Sequence, residues 1–253
     1  KPVIFTSMRS RFEYLLLILL VIASSCGSAN SVDAEPPLDP DLGKSYFFLA
    51  PNKYREYNVY EIRYLAVDIS DTLVYQLREE VREEFIVNGI SSRLIHRLTR
   101  NNSNETWRLD SVWSARVERE RAVSVENNIP LQKMIFPVDT TRRWDRNLLN
   151  SGESLVQKYL TFNQPYTQGF NTFLKAIVVE VSNERSQNPD GIDVTFRDLR
   201  KEVYADSIGL VEKEYEQFKF CTVGPCALQE IVQSGRYYKE TLTAHSFLDE
   251  AGS

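Results

Sequence analysis

The feature that most constrains the fold is how little chain separates one strand-like stretch from the next. Tyr57, Val59, Glu61 and Arg63 alternate with Asn58, Tyr60, Ile62 and Tyr64, and this aromatic and β-branched alternation predicts a strand over about 54–67. Asn88-Gly89, the strongest turn signal, separates 72–87 from 91–100 as a hairpin turn would. Segment 73–87 fits two patterns. Leu77, Val81 and Phe85 recur every four residues in a run of high helix propensity, yet Leu73, Tyr75, Leu77, Val81, Phe85 and Val87 also share one side of a period-two pattern. The adjoining turn favours strand. Asn101-Asn102-Ser103-Asn104 is a second turn, leading into strands over about 105–118 and 121–126. Further strands are predicted over 133–138, 155–162, 172–181, 192–199, 202–205, 209–220 and 236–245. They are interrupted by a polar loop at 139–153, a turn at Asn188-Pro189-Asp190-Gly191 and one helical turn at 227–232. About ten strands, short connections and little helix predict a mainly β fold. Its expected form is an antiparallel meander, a strongly curved sheet or incomplete barrel, rather than a βαβ sheet.

The amino-terminal segment carries an address. Arg9 and Arg11 precede the apolar run from Leu15 to Ala23, nine residues and about half of what a helix needs to cross a hydrocarbon core. This predicts a signal peptide over 1–25, with Met8 as the true start and 1–7 upstream of it. Ala23-Ser24-Ser25-Cys26 resembles the lipobox of bacterial lipoproteins. The resemblance implies cleavage before Cys26 and a diacylglycerol on its thiol, while an ordinary secretory signal cut nearby is the alternative. Loss of 1–25 removes Lys1, Arg9, Arg11 and Glu13 and takes the net charge from −5 to −7. An acidic body has no electrostatic affinity for nucleic acid or for an anionic bilayer. Acyl chains contributing about 0.8 kcal/mol per buried CH₂ would hold it at a membrane without help from the body. Residues 26–45 are rich in Ser, Ala, Asp and Pro and read as a lipidated cysteine followed by a flexible tether, leaving 46–253 as a single β domain.

Two thiols remain, Cys221 and Cys226, separated by the turn sequence Thr-Val-Gly-Pro. In an oxidising compartment they are expected to form a disulfide, which would pin a local turn with about 2 kcal/mol of stabilisation. Two reduced structural thiols are the alternative. The spacing does not match a redox pair, and no His lies near enough to complete a zinc site.

Several segments together resemble a group of Bacteroidetes outer-membrane lipoproteins of unknown function. They are Tyr46-Phe47-Phe48-Leu49 followed by Tyr57 and Val59, then Tyr75-Gln76-Leu77-Arg78-Glu79, then Phe136-Pro137-Val138 with Trp144-Asp145-Arg146-Asn147, and finally the run Tyr204 to Glu214. Phe48, Asn52 and Arg55 depart from that group's usual Pro, Gly and Trp. The resemblance implies an antiparallel β lipoprotein lipid-anchored at the outer membrane, facing the periplasm or the cell surface, and assigns no catalytic residue.

Chemistry is thinly provided. His96 and His245 are the only imidazoles, and the sequence has no nucleophile elbow, phosphate-cradling glycine loop or His-Glu-x-x-His, so no enzyme activity, metal or cofactor is expected. Glu79, Glu80, Glu83 and Glu84 alternate with Arg78 and Arg82 and read as charge pairs on a solvated face. Asp71-Thr72-Leu73, Asp110-Ser111-Val112, Asp139-Thr140-Thr141 and Asp206-Ser207-Ile208 match the O-glycosylation pattern of Bacteroidetes envelope proteins, with Thr72, Ser111, Thr140 and Ser207 as acceptors. Chance gives about 0.6 such matches. Asp-Ser and Asp-Thr are also favoured where turns meet strands, and both readings stand.

The expected function is a non-catalytic binding lipoprotein. Tyr57, Tyr60, Tyr64, Tyr75, Trp107 and Trp113 are candidates to line an apolar pocket for a lipid or other hydrophobic molecule. The alternatives are a structural or assembly lipoprotein that binds an envelope protein through an exposed patch or strand edge, and an enzyme with carboxylates in a cleft.

Overall fold

A computed structural model of the protein describes residues 42–87, 89–187, 194–227 and 229–246. The predicted signal peptide, Cys26, the tether up to residue 41, Asn88 and the Asn188–Gly191 turn lie outside the described residues. Twelve antiparallel strands occur among the described ones: β1 Tyr54–Ala66, β2 Ile69–Val87, β3 Ile90–Arg100, β4 Arg108–Val117, β5 Arg121–Glu126, β6 Ile129–Ile135, β7 Arg143–Asp145, β8 Val156–Gln168, β9 Asn171–Gln187, β10 Val194–Ala205, β11 Gly209–Phe220 and β12 Val232–His245. Among the described residues helix is limited to two short 3₁₀ turns, Lys44–Tyr46 and Gly224–Cys226. The expected mainly β meander is what forms.

Each strand pairs with its sequence neighbours except that β6 and β7 form the two edges, and the first and last strands pair with each other in the middle of one sheet ordered β6-β5-β4-β3-β2-β1-β12-β11-β10-β9-β8-β7. Segment 73–87 is strand throughout, because its period-two face supplies Leu77 and Val81 to the interior, both almost wholly buried. Three connections differ from the sequence reading. Asn127 and Asn128 both adopt positive φ, 51° and 66°, as a two-residue hairpin turn demands, so β6 begins at Ile129 and not near residue 133. Pro130 fits there because β6 is an edge strand that needs no second row of N–H donors. The loop at 139–153 contains the short strand β7; Ala227, Gln229 and Glu230 are turn, Val232 already belongs to β12, and the helical turn lies just upstream.

The two sheet edges curl together and meet. The Gln132 N–H donates to the Arg146 carbonyl at 2.8 Å, and the Gln132 carbonyl accepts from Trp144 Nε1 at 3.1 Å and Gln157 Nε2 at 3.0 Å. The Tyr159 hydroxyl lies 3.1 Å from the Ile135 nitrogen and donates to the Ile135 carbonyl at 2.7 Å. The result is a nearly closed barrel-like sheet whose seam is held mainly by side chains.

Segment 42–49 packs against this sheet. The Val138 N–H donates to the Leu42 carbonyl and the Ser207 N–H to the Ser45 carbonyl, while Tyr46 and Phe47 are buried in the apolar core with Phe136, Trp144 and Tyr159. Arg55 Nη1 donates to the Phe48 carbonyl at 3.2 Å and the Ile208 carbonyl at 3.0 Å. That approach requires Gly209: a Cβ there would lie 2.4 Å from Arg55 Nη1, and its φ of +94° suits only glycine. Cys221 and Cys226 are joined as a disulfide with Cα atoms 5.8 Å apart, next to the 3₁₀ turn before β12.

Candidate functional site

Alternation along the strands aims a set of charged and aromatic side chains into the sheet interior. Register places Glu202 of β10 opposite Lys213 of β11, and Lys213 opposite Glu240 of β12. Glu79 of β2, Arg97 of β3, Glu126 of β5, Lys133 of β6 and Arg146 just after β7 complete a largely buried cluster. A buried charge persists only if another charge or hydrogen bonds replace the water it has lost. Here most are replaced. Glu202, wholly buried, accepts from Lys133 Nζ at 2.9 Å, Arg146 Nη2 at 3.0 Å and the Tyr204 hydroxyl at 2.5 Å, and also from the Tyr215 hydroxyl. Lys133 also reaches Glu126 at 3.1 Å, and Arg97 reaches Glu79 at 3.2 Å. Glu79 therefore faces the interior, contrary to the solvated face expected of it. Its neighbour Glu80 pairs with Arg78 and Arg82 on the other side, as expected.

These contacts set the proton affinities. Burial pushes Glu126 up, but Lys133, Lys213 and Arg146 outweigh it and take the carboxyl from the ordinary 4.5 to about 2. Burial likewise opposes ionisation of Glu202, yet Arg146 and Lys133 hold it well below the usual range. Glu240 goes the other way, raised by burial and by the nearby Glu79. Its Oε2 accepts from the Tyr238 hydroxyl at 2.8 Å, while Oε1 has no hydrogen-bond partner among the described residues. Carboxyls with depressed folded-state pKa contribute stability that is present above the unfolded value and lost as pH falls through the folded one. The urea midpoint is thus expected to hold from pH 7 to pH 5 and to fall steeply below about pH 4.5. Denaturation curves that are flat from pH 6 to pH 3 would contradict this arrangement.

Two cavities flank the cluster. The smaller, about 60 Å³, lies beneath segment 47–49 and touches Arg55, Glu79, Lys133, Lys213 and Glu240. The larger, about 360 Å³, is within the usual size of a small-molecule site. Its walls carry Tyr75, Trp113, Tyr215 and Tyr238, and the exposed Asn127 and Arg236 lie on its rim. Basic groups cover the rings. The Arg97 guanidinium lies 3.8 Å from the Trp113 centroid, Arg236 4.5 Å from Tyr238 and Lys213 Nζ 5.0 Å from Tyr215. The chamber is therefore walled by charged groups as well as aromatic ones, where an apolar pocket was expected.

The six aromatic candidates do not converge. Tyr75 and Trp113 line the chamber. Tyr57 is a core residue whose hydroxyl donates to the Leu210 carbonyl at 3.0 Å. Tyr60 and Tyr64 have the opposite strand parity, Tyr60 meeting Tyr237 and Tyr64 meeting Phe218. Trp107 stacks with Arg100 at 4.1 Å and Arg78 at 5.8 Å. A third cavity, an external groove of about 760 Å³ along Phe170, Phe173, Ile208 and His245, takes in none of the six. Sequence reasoning missed Arg97, Arg146, Lys213 and Tyr215. The available signal was charge at core parity, as in Tyr238-x-Glu240-x-Leu242.

Among the glycosylation candidates, Thr72 and Thr140 are exposed, whereas Ser111 and Ser207 are half-buried. Ser111 Oγ donates to Asp110 at 2.9 Å. Only Thr140 and Ser207 lie at turns, Thr72 and Ser111 being inside strands, so turn preference accounts for two of the four matches. No group of three or more potential metal ligands occurs among the described residues.

No family model matches the chain, and no curated protein matches it. Among solved structures it is similar to a Bacteroides fragilis protein, provisionally described as exported and of YmcC-like fold, at 11% identity and a TM-score of 0.42. The match covers 79% of this chain and 98% of that one.

Proposed function

We propose that this chain is a lipid-anchored protein of the bacterial cell envelope whose β body binds a small molecule without transforming it. The observation that carries the reading is the chamber of about 360 Å³ built into the meander, with four aromatic rings and fixed charges on its walls. Its one lining carboxylate, Glu126, is held ionised beside Lys133, which suits a fixed countercharge and not a proton donor near neutral pH. His96 and His245 do not line it. The anchor rests on the run from Leu15 to Cys26, and the disulfide between Cys221 and Cys226 suits an oxidising compartment.

Two measurements on the full chain in a bacterial host test the reading. Radiolabelled palmitate is expected to enter the wild type and not Cys26→Ser, with the variant leaving the membrane fraction. Native mass spectrometry of the extracted protein is expected to show a stoichiometric small-molecule adduct. An unlabelled wild type would reject the anchor, and a bare mass from freshly extracted protein would reject the resident ligand. In the latter case a partner-binding role becomes the reading to pursue.

A further inference from the structure

The walls of the chamber are unequal in charge. Arg97, Arg146, Arg200, Lys213 and Arg236 line it, against the single carboxylate of Glu126. Four of these cations are already engaged: Arg97 with Glu79, Arg146 with Glu202, Arg200 with Asp198 and Arg236 with Glu61. Lys213 differs. It is half-buried between the strands, yet no carboxylate among the described residues lies within salt-bridge distance of it, and no hydrogen bond to its ammonium occurs among them. Register sets it between Glu202 and Glu240, but Glu202 is turned to Lys133 and Arg146. Glu240 is turned to Tyr238. What surrounds the ammonium is ring faces, Tyr215 at 5.0 Å and Tyr238 at 5.8 Å, and open cavity on both sides, since Lys213 borders the large and the small chamber.

An ammonium withdrawn from bulk water and left without a counterion is costly to keep. Burial accordingly lowers the proton affinity of Lys213, only partly offset by Glu126 and Glu202. An anion in the chamber would remove that cost and would meet the guanidinium groups of Arg97, Arg146 and Arg236 around it, groups suited to carboxylate and phosphate. We infer that the chamber is a binding site for a small organic anion, a carboxylate or phosphate ester of about sugar size, with Lys213 as its central counterion. This rests on the binding role proposed above and names the ligand chemistry.

The test is calorimetric titration of the full chain with two anions, phenyl phosphate and D-glucuronate, and their neutral counterparts, phenol and D-glucose. At least one anion is expected to bind saturably and at least tenfold more tightly than its neutral counterpart, with affinity falling as salt is raised. Lys213→Met is expected to weaken that anion at least tenfold while melting at or above the wild-type temperature, because it removes a half-buried charge that has no salt-bridge partner among the described residues. Arg236→Gln, at the rim, serves as a second probe and is expected to weaken the same anion in the same direction. Anions that bind no better than the neutral compounds, or that bind Lys213→Met as well as the wild type, overturn the assignment. A neutral adduct that persists in Lys213→Met would sink the anion assignment alone and leave the binding role standing, so the two failures are distinguishable.

Discussion

Glu202→Gln is expected to lower the thermal midpoint by about 10 °C, the largest single-residue effect in the buried charge cluster. The wild-type carboxylate has two buried cations, Lys133 and Arg146, and two tyrosine hydroxyls directed at it. Glutamine fills the same space but removes the charge that balances the cations. Breaking a buried ion pair from one side costs about 3–5 kcal/mol. In a domain of this size each kcal/mol moves the midpoint by about 2–4 °C. The double variant Glu202→Gln with Arg146→Met should recover part of the loss, because one uncompensated cation goes with it. A single variant that melts within 2 °C of the wild type would show that the four donors are not organised around Glu202. A double variant less stable than the single one would show that Arg146 stabilises the fold by packing and not by charge.

The second large effect is expected where no charge is involved. Gly235→Ala should cost about 3 kcal/mol, read as a lower urea midpoint with an unchanged slope. Gly235 has a φ of +140°, and a Cβ built on it would lie 2.0 Å from the Gln217 carbonyl oxygen, a backbone atom that cannot turn aside. The bare position has a further use. Register aligns Tyr64, Gly235 and Phe218 across β1, β12 and β11, and the rings of Tyr64 and Phe218 meet edge to face at 5.5 Å over the glycine. A methyl group would disturb that contact, worth about 0.5–1.5 kcal/mol. Gly169→Ala is the control, since its φ of +58° imposes strain while nothing lies within 4 Å of the added atom. If the two alanine variants are equally stable, close backbone approach at Gly235 is not what requires glycine.

The strands were legible because their periodicity is local. Tyr57, Val59 and Glu61 show in three residues which side of β1 is buried, and Asn88-Gly89 is enough to choose strand over helix for 73–87. Charges at core parity carry the same period but opposite expectations. Glu79 looked like part of a solvated charge run because its partners Arg55 and Arg97 lie on β1 and β3, across register that no local pattern encodes. The seam was unreadable for the same reason. Gln132, Trp144, Gln157 and Tyr159 hold it through contacts that depend on how far the whole sheet curls. Aromatic content alone could not separate Tyr75, which lines the chamber, from Tyr60 on the opposite face of the next strand.

The central pairing of β1 with β12 has a mechanical consequence. The Ser246 N–H donates to the Tyr54 carbonyl at 3.1 Å, the Tyr54 N–H donates to the Ser246 hydroxyl at 2.9 Å, and Lys53 Nζ donates to the Ser246 carbonyl at 2.9 Å. The first and last described strands thus end side by side, running in opposite directions. A pull applied between those two ends opens the ladder like a zipper, loading one rung at a time from Arg55 and His245 inward. It does not shear all the rungs together, so once the contacts of segment 42–49 have given way, tension is resisted by this small clasp and only then by the rest of the sheet.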